Sequence, residues 1–246
     1  MAATPKWACA ALVVAMSAAA CAAVVPEVWS GKADEAALDK AWHELPAAVR
    51  PAVDFQKVLV KIRASNKPDE WRGEVERFAK APETDAMSAG LRELAKCWMA
   101  RAEMVRVDEA LRLYFRKAVR FPDTLGAVEK DLPPGARLDP WGEPWIYQAT
   151  APKEMAKWTK QRYALGPTRA PLLTPLAEAV KAKPAPVGWK LSPRDAGGVR
   201  ALEMRGADGK VAVVQAGGRF GDAMLLFVGE GWALLADTER LFALGF

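Results

Sequence analysis

Histidine is almost absent from this chain: there is one His among 246 residues, with three Cys and three Tyr. A mechanism that needs two histidines is excluded, and so few cysteines rule out a disulfide-packed miniprotein. No long stretch reads as a polytopic membrane protein, because the only extended apolar run lies within the first 25 residues. Charge of one sign is in small excess, with 35 Lys and Arg against 30 Asp and Glu, a formal charge of +5 that does not by itself indicate nucleic acid. What is present is a 51% hydrophobic, 26% charged chain with ten Trp, which excludes wholesale disorder and collagen. At about 150 residues per domain the length allows one domain or two.

The first organised feature is residues 1–22. Lys6 precedes an apolar run over 7–16, followed by small residues through Ala23, the n-, h- and c-regions of a secretory signal. The chain is therefore expected to be exported, periplasmic or envelope-anchored. Two alternatives stand beside a removed signal. Residues 7–25 are long enough to remain as one uncleaved anchor, and Ala18, Ala19 and Ala20 directly before Cys21 offer a lipidation site with Ala18 where a lipobox usually has Leu. If Cys9 and Cys21 leave with the signal, Cys97 is the remaining cysteine and makes no internal disulfide. Beside Trp98 in a helical pattern, Cys97 reads as a small buried apolar side chain.

From Asp34 to about Lys80 the spacing is helical, with Pro46, Pro51 and Pro68 as punctuation. Phe55, Val58, Leu59 and Ile62 recur on one face, and Trp71, Val75 and Phe78 on the next helix, which starts with Asp69 and Glu70 in its first turn. His43 reads as structural or solvent-facing. The longest helix is expected from Asp85 or Met87 to Val119. Leu91, Leu94, Trp98, Ala102 and Val105 share one face, while Met104, Val107, Leu111 and Phe115 fall on another, so it should pack on two different partners.

Turn residues then become dense. In Asp139-Pro140-Trp141-Gly142-Glu143-Pro144, proline fixes φ, Gly142 permits a positive φ, and Pro144 restricts the approach to a strand at Trp145, Ile146 and Tyr147. Residues 161–165 would be the return strand of a hairpin. This helix, the Phe121-Pro122-Asp123-Thr124-Leu125 segment, the Asp139 turn and Tyr163-Ala164-Leu165-Gly166 together resemble the soluble headpiece of the major pseudopilins of type II secretion, over residues 100–168. The resemblance implies that Asp139, Pro140, Trp141, Gly142 and Pro144 shape the loop between a long helix and a small antiparallel sheet. Two departures limit it. The residues before Ala100 are charged and amphipathic rather than apolar, which argues against a fibre, and residues 166–171 carry no carboxylate where that family has a calcium loop, so no calcium is expected.

Residues 173–197, with Pro175, Pro184, Pro186, Pro193 and three lysines, read as a short helix followed by an extended linker that separates a 27–172 domain from a 198–246 unit. The last stretch has strand periodicity: five short strands joined by Gly-rich turns, a small sandwich or barrel. Its Gly218, Gly221, Asp222, Gly229 and Gly231 resemble the periplasmic domain through which type II secretion and pilus-assembly proteins contact the secretin.

No chemistry is legible. Gly217, Gly218 and Gly221 lack the Lys-Ser/Thr pair of a phosphate loop, and neither Glu74 with Glu76 nor Asp237 with Glu239 has recognisable acid-base spacing. The basic residues Arg112, Arg116, Lys117 and Arg120 suit a helix C-terminus better than nucleic acid. The sequence thus predicts an α+β protein with N-terminal helices, a long helix on a small antiparallel sheet in the pilin manner, and a C-terminal all-β unit. It is expected to be non-enzymatic and free of cofactors and metals. It would serve as a structural or adaptor part of a type II secretion or type IV pilus-like machine, with pseudopilins, a secretin or an assembly platform as partners and the membrane reached only through the N-terminus. Candidate contact residues are Trp158, Phe220 and Asp222. The alternative is a periplasmic glycan- or ligand-binding module that reuses a pilin-like headpiece, with Trp158 and nearby aromatics holding the ligand.

Overall fold

The computed structural model describes residues 27–65, 67–149, 163–181 and 183–246. Residues 1–26, with Cys21, and residues 150–162, with Trp158, lie outside the described residues. The chain is a mixed α+β protein with small antiparallel sheets. Helix α1 spans Glu35–Glu44 and starts where the Asp34 carboxylate accepts the Ala37 N–H at 2.8 Å. Helix α2, Arg50–Ala64, and helix α3, Pro68–Ala79, each carry proline in the first turn, where a missing N–H costs nothing.

Helix α4, Ala86–Ala118, is 33 residues long and opens with a reciprocal Asp85–Ser88 capping box. It divides its contacts along its two apolar stripes, except that Phe115 of the second stripe is 37% exposed and outside either core. Leu91, Leu94, Ala95, Trp98, Met99 and Ala102 join the core formed with α2 and α3, where the Trp71 and Trp98 rings meet edge to face at 6.4 Å. Cys97, Ala100, Val107, Ala110 and Leu111 join a second core with Val128, Leu132, Ala136, Trp145, Tyr163 and Leu173. The helix closes at Val119, a β-branched residue in the left-handed region at φ 57° and 79% exposed.

After α4 come 3-10 turns at Leu125–Asp131 and Pro134–Ala136, then the hairpin of β1, Ile146–Gln148, and β2, Ala164–Gly166. Helix α5, Leu176–Ala179, follows, and then seven strands. Strands β3, Lys190–Ala196, β4, Val199–Arg205, and β5, Val211–Gln215, form one sheet in that order. Strands β6, Arg219–Phe220, β7, Ala223–Val228, β8, Trp232–Ala236, and β9, Leu241–Gly245, form the second.

Residues 173–197 are not an extended linker throughout. Where an extended linker is expected to continue, residues 190–196 are β3, paired along its whole length with β4. Its solvent side carries Lys190, Ser192 and Arg194, and Pro193 is tolerated because β3 is an edge strand, so the usual apolar strand signal is missing.

The four-stranded sheet is buried on both faces, and β8 shows why. Trp232, Leu234 and Ala236 face the helical core, whereas Ala233 and Leu235 face the three-stranded sheet, so all five residues are buried by strand alternation. In β7 the register shifts between Leu225 and Phe227. The bulge puts Leu226 and Phe227 both on the helical side, against α4, and returns Val228 to the other face. The helices, the four-stranded sheet and the three-stranded sheet are therefore three stacked layers.

Candidate functional site

The Asp139 turn is tied from every side. Asp139 is 4% exposed. Its Oδ1 accepts the N–H of Trp141 at 3.0 Å and of Glu143 at 2.9 Å, and its Oδ2 accepts the N–H of Thr168 at 3.1 Å. Gly142, at φ 83°, lets the turn close, its N–H donating to the Asp139 carbonyl. One carboxylate thus holds the approach to β1 and the exit from β2 together, and the Thr168 hydroxyl adds a bond to the Pro144 carbonyl. The Trp141 indole N–H donates to Glu93 on α4 at 3.2 Å, and the Trp145 indole N–H to the Ala136 carbonyl at 2.9 Å. Both indoles therefore spend their polar edge inside the protein.

Midway along α4 lies Arg101, fully buried, with its guanidinium 4.7 Å over the Trp98 ring. It donates to the carbonyls of Thr174 at 2.9 Å and Thr238 at 2.8 Å, stitching α4 to the α5 region and to the β8–β9 corner. Burial lowers its pKa, with Cys97, Glu239 and Asp237 opposing. Cys97 is buried too, and burial pushes its thiol up to about 12. That thiol is no nucleophile at neutral pH. The corner itself is closed by Asp237, which accepts the N–H of Glu239 and of Arg240 and the Arg240 Nε. For Glu239, burial works against the charge, yet hydrogen bonds from Lys183 and Thr174 overcome it and its pKa falls. The Asp237 and Glu239 carboxylates are thus both engaged structurally.

The remaining sequence candidates scatter. Phe220, expected on a contact surface, is instead 8% exposed and packs edge to face on Trp189 at 5.0 Å. Its position after a Gly-rich bend suggests surface, but β6 turns it into the core between the two sheets. Asp222 is exposed beside a crevice of about 30 Å³ lined by Gly90, Glu93, Cys97, Arg219 and Asp237, with room for about one water. Glu74 pairs with Lys61 at 2.8 Å and Glu76 with Lys80 at 2.6 Å. His43 is exposed, its ring against Trp42.

A different place gathers residues that sequence reasoning did not connect. A cleft of about 450 Å³ runs beside β9, lined by Trp29, Ser30, Lys32, Lys183, Pro184, Ala185, Phe242 and Ala243. Lys32 and Lys183 are exposed at its rim. The Arg63 guanidinium stands behind Gly31, 3.0 Å from where a Cβ would be, and Arg240 reaches the Lys183 carbonyl at 2.6 Å. Three parts of the chain meet here, and the one hint in sequence was that 241–245 contains neither proline nor charge.

Among the described residues no group of His, Cys, Asp and Glu is placed to hold a metal ion, and no helix is long and apolar enough to cross a membrane. No protein family, curated protein or solved structure matches the chain.

Proposed function

We propose that this protein is a non-enzymatic structural or adaptor component of a type II secretion or type IV pilus-like envelope machine, exported and acting through protein–protein contact. The observation that carries the reading is the unit formed by α4, the Asp139 turn and the β1–β2 hairpin. A long helix, a loop locked by Asp139 and anchored through Trp141 to Glu93, and a small antiparallel hairpin follow one another in the order that the pseudopilin resemblance implies. In this reading the seven C-terminal strands are the secretin-contacting part, and the helical layer is the platform on which they sit.

The test is site-directed photo-crosslinking in the native cell from the exposed positions Val213, Leu172 and Leu113, which are 58%, 95% and 48% accessible. Adducts with a pilin, pseudopilin, secretin or assembly-platform protein are the expected result. Recovery of none of these from any position overturns the proposal.

A further inference from the structure

Three strands of five residues or more, β3, β5 and β9, edge the C-terminal sheets; of these β9 borders the cleft described above, and it differs from β3 in how its edge is guarded. Edge strand β3 carries Lys190, Pro193, Arg194 and Asp195, the residues that keep an edge from pairing with another chain. Edge strand β9 reads Leu-Phe-Ala-Leu-Gly and has no such guard. Its free side can be worked out from the ends of the β8–β9 ladder. Asp237 N–H donates to the Arg240 carbonyl, and Phe246 N–H to the Gly231 carbonyl. With the Leu235↔Phe242 and Ala233↔Leu244 register between them, alternation turns the N–H and C=O of Leu241, Ala243 and Gly245 away from β8. Among the described residues no hydrogen-bond partner is found for the Ala243 and Gly245 N–H groups.

That free side opens on the cleft beside β9, so unused backbone donors and acceptors, an apolar floor and a basic rim coincide. Trp29 and Phe242 supply the floor. Lys32 has no ion pair among the described residues, and Arg63 and Arg240 stand behind the walls, so four cations with Lys183 face the two carboxylates Asp237 and Glu239. A residual positive field next to an open strand edge fits an extended segment whose own alternation puts apolar side chains inward and carboxylates toward the lysines.

We infer that β9 is a docking edge for an extended, acidic peptide segment of a partner protein, which adds as a further strand beside Ala243 and Gly245 with a carboxylate on Lys32. The inference rests on the contact reading of function, though not on which machine supplies the partner.

The experiment uses the full chain as bait for a phage-displayed library of random twelve-residue peptides. Enriched peptides are synthesised, and their binding is followed by fluorescence polarisation and by hydrogen exchange. Alternating apolar residues with Asp or Glu between them are expected. Lys32→Glu should weaken binding at least fivefold, N-methylation of alternate peptide amides at least tenfold, and the Ala243 and Gly245 amides should slow in exchange only when peptide is present. Ala243→Pro, which removes one outward donor, should abolish binding, and Lys32→Glu covers the case where that variant does not fold.

Failure to enrich peptides, enriched peptides without acidic residues, or binding that survives N-methylation overturns the inference. So does protection of the two amides in the free protein. If it grows with protein concentration, the edge takes a second copy, and if it does not, the chain covers its own edge. A chain that selects acidic strands yet crosslinks to no envelope machine loses the machine assignment and keeps the docking edge, and the reverse result does the opposite.

Discussion

Gly90 of α4 lies so close to Leu226 of β7 that a Cβ built on it would stand 2.1 Å from Leu226 Cδ2 and 3.2 Å from the Met224 sulfur. Leu226 is the extra residue of the β7 bulge, so the long helix seats itself on the one place where the sheet bows toward it. Gly90→Ala is expected to lower unfolding free energy by about 1–3 kcal/mol through overpacking, even though alanine favours a helix interior by about 1 kcal/mol. Urea denaturation reads the loss. In a double-mutant cycle Leu226→Ala should return part of it, and strictly additive losses would mean that the two residues do not couple.

The C-terminus of α4 offers a change of the opposite sign. Val119 holds φ 57° with its side chain in water, where a β-branched residue is strained and gains little from packing. Val119→Gly should raise stability by about 1 kcal/mol, since glycine is the common residue at a left-handed helix cap. The readout is a higher midpoint in thermal and urea unfolding.

Asp139→Ala removes the acceptor of three backbone N–H groups at once. Hydrogen bonds to a buried carboxylate are worth about 1.5–3 kcal/mol each, and water replaces some of them, so a loss of about 2–4 kcal/mol is expected. Asp139→Asn keeps one acceptor oxygen and should fall between. Hydrogen exchange should quicken first at Trp141, Glu143 and Thr168, and an even change across the chain would contradict the local clamp.

Cys97, with its thiol pushed to about 12 by burial, should resist thiol reagents at pH 8 by on the order of a thousandfold relative to the unfolded chain. Cys9→Ser and Cys21→Ser are needed so that only this thiol is counted. Rapid labelling under native conditions would show that α4 leaves its core without global unfolding.

Acid should weaken the protein through carboxylates whose native pKa is depressed. Burial opposes the Glu239 charge but Lys183 and Thr174 overcome it, and Asp85 is held down by the backbone and side chain of Ser88. A depressed folded-state pKa gives stability that is complete above the unfolded value and is lost as pH falls through the folded one. Unfolding free energy should therefore be level at neutral pH and decline below the ordinary values of 4.5 for Glu and 3.8 for Asp. Glu239→Gln and Asp85→Asn should each flatten that decline.

Local signals were the legible ones. Asp34, Asp85 and Pro68 mark helix starts because capping is settled within a few residues, and the Asp139 turn could be read because proline and glycine restrict the backbone wherever they stand. The switch of stripe on α4 was legible from periodicity alone. Strand β3 was hidden because an edge strand with Pro193 and a charged outer face imitates a linker. Phe220 was misplaced because only the opposing sheet, through Trp189, tells which way β6 faces. The cleft beside β9 left a single trace in the sequence, the uncharged, proline-free run 241–245, because Trp29, Lys183 and Ala243 are joined only by the tertiary fold.

The strand β8, covered on both sides, has a bearing on how the chain is made. A ribosome releases α1 to α4 well before residues 223–241, so the apolar face of the helical layer waits for a cover that is synthesised later. Neither half is a finished body alone, and a nascent or translocating chain stopped before residue 223 would leave α4 uncovered around Gly90 and Leu94, where Met224 and Leu226 otherwise pack. An exported version of this chain would need to stay unfolded, or be held by a chaperone, until these strands have crossed. Proteases acting at the 183–187 stretch should yield two fragments that remain associated or are both degraded, rather than two stable pieces.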